Sequence, residues 1–282
     1  MPGVECIVLG TVQLGLGYGR RAGMDPPGER AAIRVLERAW ALGIRAFDTA
    51  SAYGNASERL AYWLSNDGRI QVCDITTKVA TAGGTDPATV QRACAPFALA
   101  QTLTVLAHDA VDERRFAVLR SAASEFGAES GMSVYTPEQV TQAAQLGARR
   151  VQGPGSVVDR RQLVVAHEAM IPFDARSVFL QGVLLDDPKT AERRVSGMGA
   201  VAGAVARAAR EAELRPASAL LASMLGKLER GDRVVLGFDT PEQLECIPEA
   251  LTTEADTIAV FEAAFLRKCP PIPPLALDPR SW

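Results

Sequence analysis

The feature that most constrains this chain is an alternation. Short β-branched or apolar runs at 6–9, 44–48, 70–78, 101–108, 131–135, 150–152, 177–180 and 233–237 read as strands. Between them lie segments with helical periodicity at 29–42, 57–64, 86–100, 111–126, 136–147, 159–170, 199–214 and 217–229. Another helix opens at Thr240-Pro241, and one more follows over 256–268. The stops agree with this division, as at Gly43, Gly127 and Gly147, and Thr136-Pro137 supplies a cap residue followed by proline. Strands that alternate with helices pair in parallel through crossovers. Eight such units within 282 residues fit a (β/α)8 barrel better than a doubly wound sheet. The expectation is one barrel over residues 1–268, followed by a proline-rich tail, 269–282, that folds over its mouth or ends loosely at Trp282.

A barrel of this kind presents the residues at the C-terminal ends of its strands to a common mouth. Asp48, Lys78, His108, Ser133, Gln152 and Gln181 all stand at such ends. Tyr53 follows Asp48 by five residues, close enough to turn back over the same strand end. A phenol, with an ordinary pKa of about 10, is a poor proton donor at neutral pH unless a nearby cation favours its anion. Lys78, closing the third strand, supplies that cation, and Asp48 would hold the ammonium in place. His108, closing the fourth, would orient a carbonyl oxygen or pass on a proton. The set holds no strong nucleophile with its base, so proton donation to a carbonyl is the chemistry it supports, with the reducing equivalent drawn from a cofactor.

Composition removes several other readings. The net charge of −3 gives no reason to expect nucleic acid as a partner. The most apolar stretch, 197–206, is too short and glycine-rich to span a bilayer, and the N-terminus lacks the pattern of a secretion signal. Five scattered cysteines without a CxxC read as reduced thiols of a cytoplasmic protein, and two histidines cannot build a multi-histidine metal site. Gly15, Gly17 and Gly19 resemble a phosphate loop only superficially, since no GK[ST] follows. Tyr18, Arg20 and Arg21 in the same turn either touch substrate or cover the rim. His167, Trp40 and Trp63 are read as packing residues.

With these residues in view, the chain resembles the aldo-keto reductases over nearly its full length. The motifs that carry the resemblance are Leu9-Gly10-Thr11, Phe47-Asp48-Thr49-Ala50 with Tyr53-Gly54, Ser57-Glu58, Thr76-Thr77-Lys78, the strand-ending His108 and Gly131-Met132-Ser133. The family's Asp, Tyr, Lys and His tetrad is matched at Asp48, Tyr53, Lys78 and His108. The resemblance implies an NADPH-dependent reductase, with NAD as the alternative coenzyme, acting on a small-molecule aldehyde or ketone with Tyr53 as general acid. It implies coenzyme contacts at Gly10, Thr11, Ser133, Gln152, Arg176, Ser177, Leu180, Gln181, Gly182, Gly237 and Gln243. Arg176 falls where many members carry an aromatic residue that covers the nicotinamide, so its guanidinium plane would do the covering. Departures from the family pattern are Val134 for an asparagine beside Ser133, and Gly237, Phe238 and Gln243 where cationic or hydroxyl contacts to a 2′-phosphate are usual. Another is Gly153-Pro154-Gly155-Ser156 after the sixth strand. The helix opening at Thr240 would still offer free N–H groups to a phosphate. The run from Arg176 to Leu185 and the tail Asp278-Pro279-Arg280-Ser281-Trp282 resemble a subgroup linked to carbohydrate and secondary metabolism. An epimerase that uses its coenzyme transiently, and a coenzyme-sensing barrel without turnover, are the competing functions.

Overall fold

The computed structural model describes residues 2–80 and 86–277. Eight parallel strands close into a barrel in sequence order: β1 (Ile7–Gly10), β2 (Ala46–Asp48), β3 (Asp74–Val79), β4 (Thr102–Ala107), β5 (Glu129–Ser133), β6 (Val151–Pro154), β7 (Phe173–Arg176) and β8 (Arg233–Gly237). Register runs continuously around it, from Gly10↔Asp48 and Asp48↔Thr76 to Ser133↔Gln152, Pro154↔Arg176 and Gly10↔Gly237. The expected (β/α)8 architecture is therefore the one observed. The helices pack outside, with their apolar stripes on the strands; Glu29–Ala41, for example, buries Ala32, Val35, Leu36 and Ala39. Trp63 is buried and meets Trp40 edge to face at 5.7 Å, while the Arg45 guanidinium covers Trp40 at 3.5 Å. Both tryptophans are packing residues, as read from the sequence.

The largest departure from the sequence reading concerns the seventh strand. The apolar run 177–180 is not a strand. Ser177, Leu180 and Gln181 all have φ between 46° and 63°, and Gly182 has φ 88°. The segment is a chain of tight turns whose Val178 and Leu180 are tucked into the core. The true β7 lies four residues earlier and was concealed because it buries a charge. Asp174 is fully buried and accepts from Arg150 at 2.8 Å and from Arg233 at 2.9 and 2.8 Å. Arg233 also donates to Thr76 Oγ1 at 3.2 Å, tying β8 to β3 across the barrel interior.

Smaller corrections have local causes. Residues 66–72 form 3-10 turns, with Asp67 at φ 55° and Gly68 at φ 66°, so the third strand begins at Asp74 rather than Ile70. The helix expected over 86–100 covers Pro87–Cys94 and passes into a 3-10 turn at Pro96. The spacing of Leu163, Val164 and His167 predicts that they share one side of their helix, but on Arg161–Glu168 Leu163 and Ala166 face inward and Val164 is exposed. His167 leans instead on Asp232, at 2.7 Å. The helix Pro188–Arg194, capped by Asp187, had not been expected. Thr240 opens a 3-10 turn, Pro241–Glu245, so the regular helix begins only at Cys246 and runs to Thr252.

All five cysteines are free, and four are buried. Burial pushes the thiols of Cys6, Cys94 and Cys246 up to about 12 and that of Cys73 to about 11, so these four are inert packing residues. The tail call at Asp278-Pro279-Arg280-Ser281-Trp282 lies outside the described residues.

Asp174→Asn would leave two guanidiniums near the barrel base without a counter-charge, at an expected cost of about 3–5 kcal/mol. Burial alone would raise the Asp174 carboxyl, but Arg233 and Arg150 outweigh it and hold the group below its ordinary value. Its contribution is therefore complete above the unfolded value of about 3.9 and fades as pH falls through the lower folded one. Urea midpoints should show the full penalty at neutral pH and a smaller one below about pH 4. Equal midpoints for the two proteins at neutral pH would contradict this account.

Candidate active site

Asp48 is the last residue of β2, and its backbone is locked from the next strand over. Thr11 donates to the Asp48 carbonyl through both its amide and its hydroxyl, each at 2.9 Å. Beyond Asp48 the chain folds over the end of β3. Thr49 N donates to Thr76 O at 2.8 Å, Ser51 N to Lys78 O at 3.2 Å, and Tyr53 N to Ala50 O at 3.0 Å. This turn brings Tyr53 back above Lys78. It requires glycine at two crossing points: a Cβ on Gly15 would lie 2.0 Å from Tyr53 O, and one on Gly54, at φ 58°, 2.4 Å from Gly15 O. Gly15 therefore permits close backbone packing, consistent with the weak phosphate-loop reading.

Lys78 is 1% exposed and lies at the centre of the assembly. Its ammonium donates to Asp48 Oδ1 at 2.5 Å and to Tyr53 Oη at 3.0 Å. Gln152, reaching across the barrel from β6, donates from Nε2 to Asp48 Oδ2 at 2.8 Å. Burial disfavours the ammonium, but the Asp48 charge, the Tyr53 oxygen and their hydrogen bonds outweigh it and hold Lys78 above its ordinary range. His108, whose amide donates to Val79 O, sets its ring edge to face with Tyr53 at 6.0 Å. Burial, helped by the Lys78 charge, lowers the His108 imidazole below its ordinary value, so it is neutral at physiological pH.

Of the four groups, Asp48 and Tyr53 line a cavity of about 310 Å³, while Lys78 and His108 stand behind them. Of the residues expected to hold coenzyme, Gly10, Gln152, Arg176, Ser177, Gln181, Gly182, Gly237 and Gln243 line it. Thr11, Ser133 and Leu180 do not; they are buried behind the wall. Gln181 is not at a strand end as expected; Arg176 occupies the end of β7. The cavity is also bounded by residues to which the sequence reading gave no role: Gln13, Phe179, Asp239 and Glu242. The acids had a usable signal, since Asp239 and Glu242 follow directly on β8. Tyr18 and Arg20 line the cavity as well, and Arg20 pairs with Asp186 at 2.6 Å. Among the described residues no cluster of His, Cys, Asp and Glu could hold a metal ion, and no helix is long and apolar enough to cross a membrane.

Whether a nicotinamide coenzyme suits this cavity can be judged from its unsatisfied polar atoms. Gln152 commits Nε2 to Asp48, and its buried Oε1 has no hydrogen-bond partner among the described residues. Ser133 is its register partner on β5. Ser133 stands behind the wall, so it is the Gln152 oxygen, an acceptor of the kind a carboxamide N–H needs, that fits that end of the group. At the far end Gly237 lies under Gln13, whose Oε1 is also buried without a partner. Asp239 and Glu242 stand beyond it, with Gln243 Oε1 taken up by the Asp239 amide at 2.8 Å.

Residues 6–113 match the model of the aldo/keto reductase family. The matched segment, less than half of the chain, contains Asp48, Tyr53, Lys78 and His108. No curated protein matches by sequence. Solved structures share the barrel at low identity. A glycerol dehydrogenase from Gluconobacter oxydans is similar with a TM-score of 0.72 at 17% identity, over 95% of this chain and 94% of that one. An aldose reductase from Giardia lamblia gives 0.67 at 13%, over 98% and 97%, and an aldo/keto reductase from Brucella melitensis 0.64 at 14%, over 92% of each.

The neutral state of His108 is directly observable, because the chain has only two histidines. In NMR titrations with Asn at position 108 (His108→Asn) used for assignment, the His108 imidazole should protonate below the ordinary value of about 6.5. A midpoint above that value would contradict the geometry described.

Proposed function

We propose that this protein is a nicotinamide-dependent carbonyl reductase in which Tyr53 donates a proton to the oxygen of a small aldehyde or ketone. The observation that carries the reading is the hydrogen bonding of Lys78, whose one buried ammonium donates to both Asp48 and Tyr53 Oη. Because the ammonium takes an acceptor position on the phenol oxygen, the phenolic proton is left to point elsewhere, and Tyr53 borders the cavity. Once the proton has gone, the same ammonium stabilises the phenolate. Asp48, clamped by Thr11 and Gln152, keeps the ammonium charged and fixed. Neutral His108, beside the Tyr53 ring, can donate one N–H to the carbonyl oxygen and so align it with the phenol. Phe179, Phe238 and Leu185 in the cavity wall exclude water from the rest of the space.

A nicotinamide coenzyme, when bound, supplies the hydride. In this chain Gln152, backed by Ser133, would hold its carboxamide, and Gly10, Ser177, Gln181, Gly182, Gly237 and Gln243 would border the remainder. NADPH is the coenzyme that the family suggests. Asp239 and Glu242 at the far end favour NADH instead, since carboxylates repel a phosphate and accept from a hydroxyl. A cytoplasmic setting agrees with the five free thiols.

Tyr53→Phe removes the proton and keeps the ring. Turnover of an aldehyde, followed as loss of nicotinamide absorbance, should fall about 10²–10⁴-fold, the usual contribution of a positioned general acid. Undiminished turnover in that variant would remove Tyr53 from the assigned role.

A further inference from the structure

The cavity's cations are unequally provided with counter-charges. Among the described residues, Arg20, Arg176 and Arg215 line it. Arg20 pairs with Asp186 at 2.6 Å, and Arg215 pairs with Glu249. Lys78 is neutralised by Asp48. Arg176 has no carboxylate within ion-pair distance among the described residues. Its hydrogen bonds are two marginal ones, from Nη1 to Ser177 Oγ and from Nη2 to Val134 O, both at 3.4 Å. A guanidinium carries five donors, and good N–H···O bonds run from about 2.7 to 3.2 Å, so most of its capacity is unspent.

Its position shows what could use that capacity. Arg176 ends β7, and its side chain reaches past β6 to the carbonyl of Val134, which follows β5, so the guanidinium lies at the mouth of the barrel, where it lines the cavity. The Tyr135 ring covers one face, with Cζ 4.4 Å from the ring centroid. Stacking of this kind orients a guanidinium and leaves its edge free for paired oxygens. Its field reaches both Tyr18 and His108, and Tyr18 and Tyr53 line the same cavity. A partly buried cation with no counter-ion among the described residues, lining the same cavity as the proton donor, is built for an anion that arrives with the ligand.

We propose that Arg176 recognises an anionic group, a carboxylate or a phosphate ester, on the carbonyl substrate, so that this site selects acidic aldehydes or ketones over neutral ones. The proposal rests on the carbonyl-reductase reading above. It gives the Arg176 edge a substrate to bind, where the family pattern would have its plane cover the nicotinamide.

The test uses the full chain with NADPH and NADH and two substrate pairs that differ in charge: 4-formylbenzoate against its methyl ester, and glyceraldehyde 3-phosphate against glyceraldehyde. In the wild type, kcat/KM should favour the anionic member of at least one pair by about 10-fold to 100-fold, the range of one charge-assisted contact, and mainly through KM. The pair that responds tells carboxylate from phosphate. Arg176→Met should bring the ratio to about one, and Arg176→Lys should retain part of it; melting curves check that both variants are folded. A wild-type ratio near one in both pairs would overturn the proposal, as would a ratio that Arg176→Met leaves unchanged. If Arg176→Met instead weakens coenzyme binding and depresses both members equally, Arg176 serves the coenzyme and the proposal fails. If no carbonyl is turned over, it is the reductase reading that fails. Calorimetric titration with benzoate and with inorganic phosphate then decides the anion site: binding lost in Arg176→Met supports it, and binding absent or unchanged overturns it.

Discussion

The buried pair of Lys78 and Asp48 is the interaction on which the mouth of this barrel depends. An ammonium 1% exposed to solvent costs several kcal/mol in desolvation unless its surroundings repay it. Repayment comes from three sides: the Asp48 carboxylate, the Tyr53 oxygen and, through Asp48, the Gln152 amide that crosses the barrel from β6. The same contacts place the phenol, fix the carboxylate and keep the cation charged. Removing any member leaves a buried charge or donor behind, so the group acts as a unit.

The barrel holds a second buried charge assembly, and the contrast between the two separates structure from chemistry. Near the base, Asp174 is matched by Arg150 and Arg233, and Arg233 is further tied to Thr76. Asp174 is not among the residues that line the cavity. At the mouth, Gln152 Oε1 and Gln13 Oε1 are unmatched and Arg176 has no counter-ion among the described residues. Buried polar groups without partners are costly, so the two that line this cavity are ones a bound ligand would satisfy.

The architecture was legible because period and punctuation agreed along most of the chain: β8 falls at 233–237 as read, and Gly43 and Gly127 end their helices near the expected points. The tetrad was legible for a different reason. Its residue types stand at consecutive strand ends, and a barrel brings those ends together. β7 was not legible, because half of Phe173-Asp174-Ala175-Arg176 is charged, and only the folded chain shows that Arg150 and Arg233 neutralise Asp174. The apolar segment after it looked more strand-like, yet it adopts left-handed turns to wrap the cavity. Tyr135 was missed as a site residue since nothing local distinguishes a side chain that faces inward from one that faces solvent, whereas Asp239 could have been found from its place just after β8.

The central claim is that Lys78 stays charged beside Tyr53 because Asp48 holds it so. The most direct test is the NMR chemical shift of the Lys78 side chain, at Nζ and Cε, followed with pH in the wild type and in Asp48→Asn. The account predicts a protonated amine throughout the neutral range and beyond the ordinary lysine value of about 10.4 in the wild type, with protonation lost at lower pH in the variant. A wild-type Lys78 that is already neutral near pH 7, or one whose titration is indifferent to Asp48, would contradict it.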